Sequence, residues 1–280
     1  MAATHINFSL RNRPVIATTD DQHLECGVRI QRVGIPWDLL ACGVSGDHGH
    51  IVALCPFEDA GRLAQAIETS LTQTLGFKPG FSRYYAKPVT DQLHLETLVR
   101  YVLRQQEHHG VHKDPDFFGC NGPELIGGRM LRLRRGGLIV PPARDLFRRH
   151  LRIGDEELEK IMLGGKKRRS LSKLGAAPGG LAGVELEAVL VRAAAAAIGR
   201  AKLEGRVAGL ADARAAVLRL VEANPLGESV RPARMLGLGE RAVRKLRRKE
   251  VRVDVGRAVR WQLEFQLTRR ELAVQDSRTF

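Results

Sequence analysis

His48 and His50 stand two residues apart in Asp47-His48-Gly49-His50-Ile51, and Tyr101 and Gln105 stand four apart in an apolar-periodic stretch further on. If the first segment is a strand, residues i and i+2 face the same side, so both imidazoles point one way. If the second is a helix, residues i and i+4 share a face, so phenol and amide project together. Packed side by side, these elements would gather two imidazoles and an amide oxygen around one divalent metal, with a hydroxyl beside it. That is equipment for attacking a phosphodiester. Two same-face histidines in a strand are, taken alone, more often surface or core residues than ligands. The combination is more informative, because only one of the three tyrosines, Tyr101, has a Gln at i+4.

The surrounding pattern supplies the elements. Alternation over 5–10 puts Ile6, Phe8 and Leu10 on one face of a strand, and 26–33 reads as a weaker strand. The runs 39–45 and 48–55, separated by Gly46-Asp47, predict a hairpin. A helix is expected over 58–75 with the stripe Ala60, Leu63, Ala64, Ile67, Leu71 and Leu75, ended by Gly76. A strand over 81–89 follows. The next helix starts at a Thr90 or Asp91 cap and runs to Gly110, with Leu95, Leu98, Val99 and Val102 as its core stripe. Tyr101 and Gln105 fall on the flank of that stripe, where a side chain is half buried at an edge.

The second half differs in chemistry. The whole chain carries a net charge of +14, but residues 1–118 carry −2 and residues 119–280 carry +16. A basic half favours a polyanion through counterion release, and nucleic acid is the usual one. A basic helical surface without a specific partner is the plainer alternative. Eight of the nine histidines fall in 1–118, so metal or acid–base chemistry is expected there.

Between the halves, Pro115, Pro141-Pro142 and several glycines interrupt the pattern. Lys166-Lys167-Arg168-Arg169 is a basic run, and Ala176-Ala177-Pro178-Gly179-Gly180 reads as a linker. From Leu181 the chain is expected to be helical. Residues 229–249 read as a helix-turn-helix: Pro232 suits a first helical position, and Ala233 lies four residues before a turn glycine, Gly237. Leu236 and Leu238 flank the turn, and Val243 and Leu246 anchor the second helix. That helix carries Arg241, Arg244, Lys245, Arg247, Arg248 and Lys249, a nucleic-acid-binding surface for a major groove. Within it Arg241 and Arg244 are expected to read bases, and Arg247, Arg248 and Lys249 to contact phosphates. A helix over 255–272 should pack against the motif through Val259, Leu263 and Leu267.

Cys26, Cys42, Cys55 and Cys120 form no C-x-x-C pair, so neither a zinc site nor a disulfide framework is expected. The opening residues lack a charged segment followed by an apolar one, and the apolar run 188–198 is interrupted by Arg192. The expectation is a cytoplasmic, nucleoid-associated protein without a membrane partner.

Residues 5–112 resemble the single-tyrosine HUH transposases, and among them the REP-associated tyrosine transposases. The resemblance is carried by Gly46-Asp-His-Gly-His-Ile-Val-Ala-Leu54, by Arg83-Tyr84-Tyr85, and by Leu98-Val-Arg-Tyr-Val-Leu-Arg-Gln-Gln106 with His109-Gly110-Val111. It implies that His48, His50 and Gln105 bind the metal, Mg²⁺ or Mn²⁺, and that Tyr101 is the nucleophile. It also implies single-stranded or hairpin DNA as substrate and a 5′-phosphotyrosine intermediate. Two positions depart from the family pattern. Gly49 replaces a usually bulky apolar residue between the histidines, and Gln105-Gln106 replaces the usual Asn-Pro.

The expected architecture is therefore α+β. Residues 1–118 form a ferredoxin-like α/β sandwich with an antiparallel sheet, 119–180 a connecting region, and 181–280 an all-α DNA-binding region. The rival is a non-catalytic DNA-binding regulator on the same scaffold. RNA in place of DNA at the basic half, and a homodimer in place of a monomer, stay open.

Overall fold

A computed structural model describes residues 2–12, 14–76, 80–105, 119–133, 137–163, 168–171, 181, 183–224, 226 and 230–276. The expected continuation of the tyrosine helix from 106 to Gly110, the lysines at 166–167 and the linker 176–180 lie outside them. The chain divides into two compact units. One comprises Met1–Ile126 with Pro141–Gly165, the other Gly127–Val140 with Lys166–Phe280. The expected connecting region at 119–180 is thus shared between the units.

The first unit mixes helix and sheet. Its elements run β1 (Thr4–Ser9), α1 (Asp20–Gly34), β2 (Leu39–Ser45), β3 (His48–Ala53), α2 (Ala60–Leu75), β4 (Tyr85–Pro88) and α3 (Gln92–Leu103). The four strands form one sheet in the order β2-β3-β1-β4, and every neighbouring pair is antiparallel. The β2–β3 hairpin pairs Gly43 with His50 and Ser45 with His48, and its turn contains Gly46 at φ 54°. In β1, Ile6 and Phe8 pair with Ile51 and Gly49, while Asn7 and Ser9 pair with His50 and His48. The period of two therefore sorts the sheet into an apolar face and a polar one. The apolar face, with Ile6, Phe8, Cys42, Val44 and Ile51, joins Cys26 and Ile30 of α1 and Leu63, Ile67 and Leu71 of α2 in one buried core.

The expected strand at 26–33 is instead part of α1. Cys26, Val28 and Ile30 do alternate, but Gln22, Glu25, Arg29 and Arg32 line the less buried side at helical spacing. Thr19 starts the helix with a capping box: its hydroxyl accepts from the Gln22 amide, and the Gln22 side chain returns to the Thr19 backbone. The other elements follow expectation closely. Gly76 closes α2 in the left-handed region with its N–H on the Thr72 carbonyl, and Asp91 caps α3 by accepting from the His94 amide. The strand expected at 81–89 is regular only over β4. After α3 come α4 (Gly122–Leu125), α5 (Pro142–His150) and α6 (Asp155–Met162).

The second unit consists of a short hairpin, β5 (Leu131–Arg132) and β6 (Leu138–Ile139), and helices α7 (Gly183–Ala197), α8 (Leu210–Glu222), α9 (Pro232–Leu236), α10 (Glu240–Arg248) and α11 (Val253–Asp276). Helices α7, α8 and α11 pack on one another around Leu186, Leu190, Val217, Val259, Leu263 and Leu267. Ala193, Ala194 and Ala197 are fully buried in α7, and small side chains there bring the helix surfaces close. Among the described residues no helix is long and apolar enough to cross a membrane.

Candidate functional site

The polar face of the sheet carries His5, Asn7, His48 and His50, and α3 packs against this face over β2 and β3. The structure brings the expected histidines and tyrosine together. The ring centroids of His48 and His50 lie 5.1 Å apart, and those of His50 and Tyr101 lie 5.3 Å apart, both edge-on. His50 is buried, whereas His48 and Tyr101 are partly exposed. This leaves the tyrosine at an edge, as expected from its flank position on the helix.

Gln105 arrives differently from expectation. The regular helix ends at Leu103, Arg104 interrupts it with φ −110° and ψ 11°, and Gln105 is again helical. Its side chain is fully buried, and neither its amide nitrogen nor its oxygen has a hydrogen-bond partner among the described residues. A buried amide without partners costs on the order of 1–3 kcal/mol. Gly43 makes room for it. A Cβ there would sit 2.7 Å from the Val102 carbonyl oxygen and 3.3 Å from Gln105 Oε1. Gly43 is directly paired with His50, and paired residues project to the same side of a sheet. The Gln105 amide and the His50 imidazole thus occupy neighbouring ground on one face. The outer edge of β2 is held by 119–121. Val44 N–H donates to the Gly119 carbonyl, and the Asn121 side chain accepts from Cys42 N–H and donates to the Leu40 carbonyl.

Three residues that sequence reasoning passed over as functional lie against the histidines. His5 Nε2 lies 2.8 Å from His50 Nδ1, with the rings stacked at 5.1 Å. Asp47 Oδ1 lies 2.7 Å from His48 Nδ1. Asn7 Nδ2 approaches His50 Nε2 at 3.4 Å. Burial, with the charges of His94 and Lys87 nearby, lowers the His5 pKa to about 4, so the ring is neutral at pH 7. Asp47 was legible as the residue beside His48. His5 was not, because only the β1–β3 register brings it to His50.

Among the described residues no cluster of three or more His, Cys, Asp or Glu is arranged to hold a metal. The expected set, two histidines and a glutamine, is of a different kind. Its donor chemistry suits a divalent ion that keeps further positions for phosphate oxygens. The partnerless buried amide is the observation that fits such an ion.

Gly49 has a local explanation. Its Cβ would point to the apolar face, 2.3 Å from Phe8 Cζ and 2.8 and 3.0 Å from the two Cε atoms. Phe8 is its direct partner in β1 and is 1% exposed. The ring of one strand fills the place that a bulky side chain on the other would take. The absence of a side chain at 49 therefore leaves no void beneath the histidines.

In the second unit, α9 and α10 are joined through Gly237, which adopts φ 60° and donates to the Ala233 and Arg234 carbonyls. Met235, Leu236 and Val243 are buried. The start of α9 is capped from α7: Glu187 accepts from the Arg231 N–H at 2.8 Å and from two Arg234 nitrogens at 2.8 and 2.9 Å. Those bonds, the Arg234 side chain foremost, hold the Glu187 carboxyl below its ordinary pKa. On α10 the cations divide. Arg241, Arg244, Lys245 and Arg248, at i, i+3, i+4 and i+7, are exposed, as is Arg247. Arg247 pairs with Glu222 at 2.7 Å and Lys249 with Asp212 at 3.2 Å, both acids on α8. Two of the three expected phosphate contacts thus also form ion pairs to the neighbouring helix.

No family model matches the chain, and no curated protein matches it. A solved structure of a REP-associated tyrosine transposase bound to a REP hairpin is similar to it at 22% identity. That likeness covers 43% of this chain and 76% of the other, with a TM-score of 0.36.

Proposed function

We propose that this protein is a metal-dependent DNA-nicking and strand-transfer enzyme that acts on single-stranded or hairpin DNA through Tyr101. One observation carries the reading: His48, His50 and Tyr101 share a sheet face with the Gln105 amide, which is buried and partnerless among the described residues. The strand order β2-β3-β1-β4, with two helices on the opposite face, supports a ferredoxin-like sandwich as its frame.

Tyr101 is the nucleophile. Its oxygen attacks a backbone phosphorus, a tyrosine O–P bond forms, the P–O3′ bond breaks, and the 3′-oxygen leaves with a proton. The product is a 5′-phosphotyrosine ester and a free 3′-OH. Because the ester keeps the bond, a second 3′-OH attacks it in reverse and joins a new strand without ATP. Held by His48, His50 and Gln105, Mg²⁺ or Mn²⁺ would neutralise a non-bridging phosphate oxygen and favour departure of the 3′-oxygen. The α3–sheet packing holds the tyrosine at one edge, and orientation of this kind is a large part of such a rate. An edge site accepts an exposed single strand more readily than a duplex backbone. The α9–α10 pair is the duplex-binding helix-turn-helix, with Arg241, Arg244, Lys245 and Arg248 facing DNA.

The test is covalent capture. Labelled hairpin single strands mixed with the protein and Mn²⁺ should yield an adduct on a denaturing gel. Tyr101→Phe, which removes only the hydroxyl, should abolish adduct and nicking while DNA affinity stays nearly constant. A Phe variant that nicks at the parent rate would remove Tyr101 from this role.

A further inference from the structure

Both histidines that point into the site are engaged at Nδ1. For His48 the partner is a carboxylate, Asp47 Oδ1 at 2.7 Å, which fixes the polarity: His48 Nδ1–H donates. For His50 the partner is a second imidazole, His5 Nε2 at 2.8 Å, and two ring nitrogens admit either direction. The third contact points to one of them. Asn7 Nδ2 is a donor, and it faces His50 Nε2 at 3.4 Å. A donor there requires an unprotonated Nε2, so the proton of a neutral His50 sits on Nδ1 and is donated to His5. His5 must then carry its own proton on Nδ1.

We infer that His5 is a positioning residue of this site: by accepting the Nδ1–H of His50 it fixes the tautomer that turns the Nε2 lone pair toward the metal face, as Asp47 does for His48. The inference rests on the metal-binding reading above. Histidine ligands commonly donate their second ring N–H to an oxygen acceptor, and loss of that acceptor costs about 10–100-fold in metal affinity. Here one of the two acceptors is an imidazole from the neighbouring strand. The stacking of His5 on His50 adds an orientational constraint on the ring. The long Asn7 contact is the weakest of the three, and it is the one a metal ion would displace.

The experiment uses the full chain labelled with ¹⁵N-histidine. Long-range ¹⁵N–¹H correlation on the metal-free protein assigns the tautomer of His50, and calorimetric titration with Mn²⁺ alone measures affinity without DNA. The parent protein should show His50 protonated at Nδ1. His5→Leu, which keeps bulk but no acceptor, should shift His50 toward the Nε2–H tautomer and weaken Mn²⁺ binding about 10–100-fold. His5→Gln, which returns an acceptor near the Nε2 position, should restore both and guards against a Leu variant that fails to fold. A parent protein with His50 protonated at Nε2 would overturn the inference. So would a folded His5→Leu protein with unchanged tautomer and unchanged Mn²⁺ affinity. If the parent binds no Mn²⁺, the metal reading itself falls, and the tautomer with its response to His5→Leu still decides the His5–His50 polarity.

Discussion

The Phe8–Gly49 pair offers a stringent test of how this sheet supports its histidines. If Phe8 occupies the place of a residue-49 side chain, the two positions are interchangeable only together. Phe8→Ala removes a ring that is 1% exposed, and burial of that kind is worth about 3–5 kcal/mol. Gly49→Ile alone drives a Cβ to 2.3 Å from Phe8 Cζ. The ring cannot simply swing aside, because it packs edge-on against Phe81 at 5.7 Å, so overpacking should cost about 1–3 kcal/mol. The double variant puts an aliphatic side chain where the ring was. It should be no less stable than Phe8→Ala alone, which makes the favourable coupling at least equal to the Gly49→Ile cost, about 1–3 kcal/mol. Urea unfolding followed by Trp37 fluorescence would read this. The chain's two tryptophans are Trp37 in the first unit and Trp261 in the second, so a Trp261→Phe background isolates the signal. Midpoint shifts at constant slope report stability. If the single-variant costs simply add in the double variant, within about 0.5 kcal/mol, Phe8 is not the surrogate for a side chain at 49.

Two further outcomes are expected. Replacing Arg241, Arg244, Lys245 and Arg248 together by Ala should reduce the log–log salt slope of duplex DNA binding by about 3 to 4, at ~0.9 for each phosphate no longer neutralised. Arg247→Ala, which breaks an ion pair to Glu222, should leave that slope unchanged. Separately, burial raises the Glu68 pKa from 4.5 to about 7. The folded chain therefore holds this proton more tightly than the unfolded one, and stability should fall as pH rises from 4.5 through 7. Glu68→Gln should remove that decline, measurable as a flatter midpoint-versus-pH curve.

Much of the candidate site was legible because it depends on short-range periods. The spacing of His48 and His50 needs only the pleat of a strand, and the Gly46-Asp47 turn fixes the hairpin that pairs them with Ser45 and Gly43. The caps at Asp91 and Gly76 likewise act locally. What escaped depends on distant pairing. His5 reaches His50 across 45 residues, and the role of Gly43 follows from the approach of Val102 and Gln105. The misread segment at 26–33 is of another kind. Its period-two apolar residues fit a strand, yet Thr19-x-x-Gln22 and the polar spacing of Gln22, Glu25, Arg29 and Arg32 marked a helix start and its outer side. In α10 the positive charges were visible, but which of them are neutralised by Glu222 and Asp212 depends on the packing of α8.

The division of the chain bears on how the protein is made. Its backbone leaves the first unit after Ile126, returns at Pro141, and leaves again after Gly165. On a ribosome the histidines and Tyr101 emerge early, but their unit lacks α5 and α6 until residue 165 has appeared. The hairpin at 131–139 waits longer still. Met130 N–H bonds the Ala197 carbonyl, and Gly128 lies where its missing side chain would meet the Trp261 ring. Neither unit is a bead that can be cut from a string. A stop codon near 180 would release a chain whose 127–140 segment lacks its partners and exposes Met130, Leu131 and Leu138, which are buried in the full chain. Domains generally fold as units during synthesis. Here the segment 127–140, which belongs to the second unit, is synthesised before the first unit's own chain is complete.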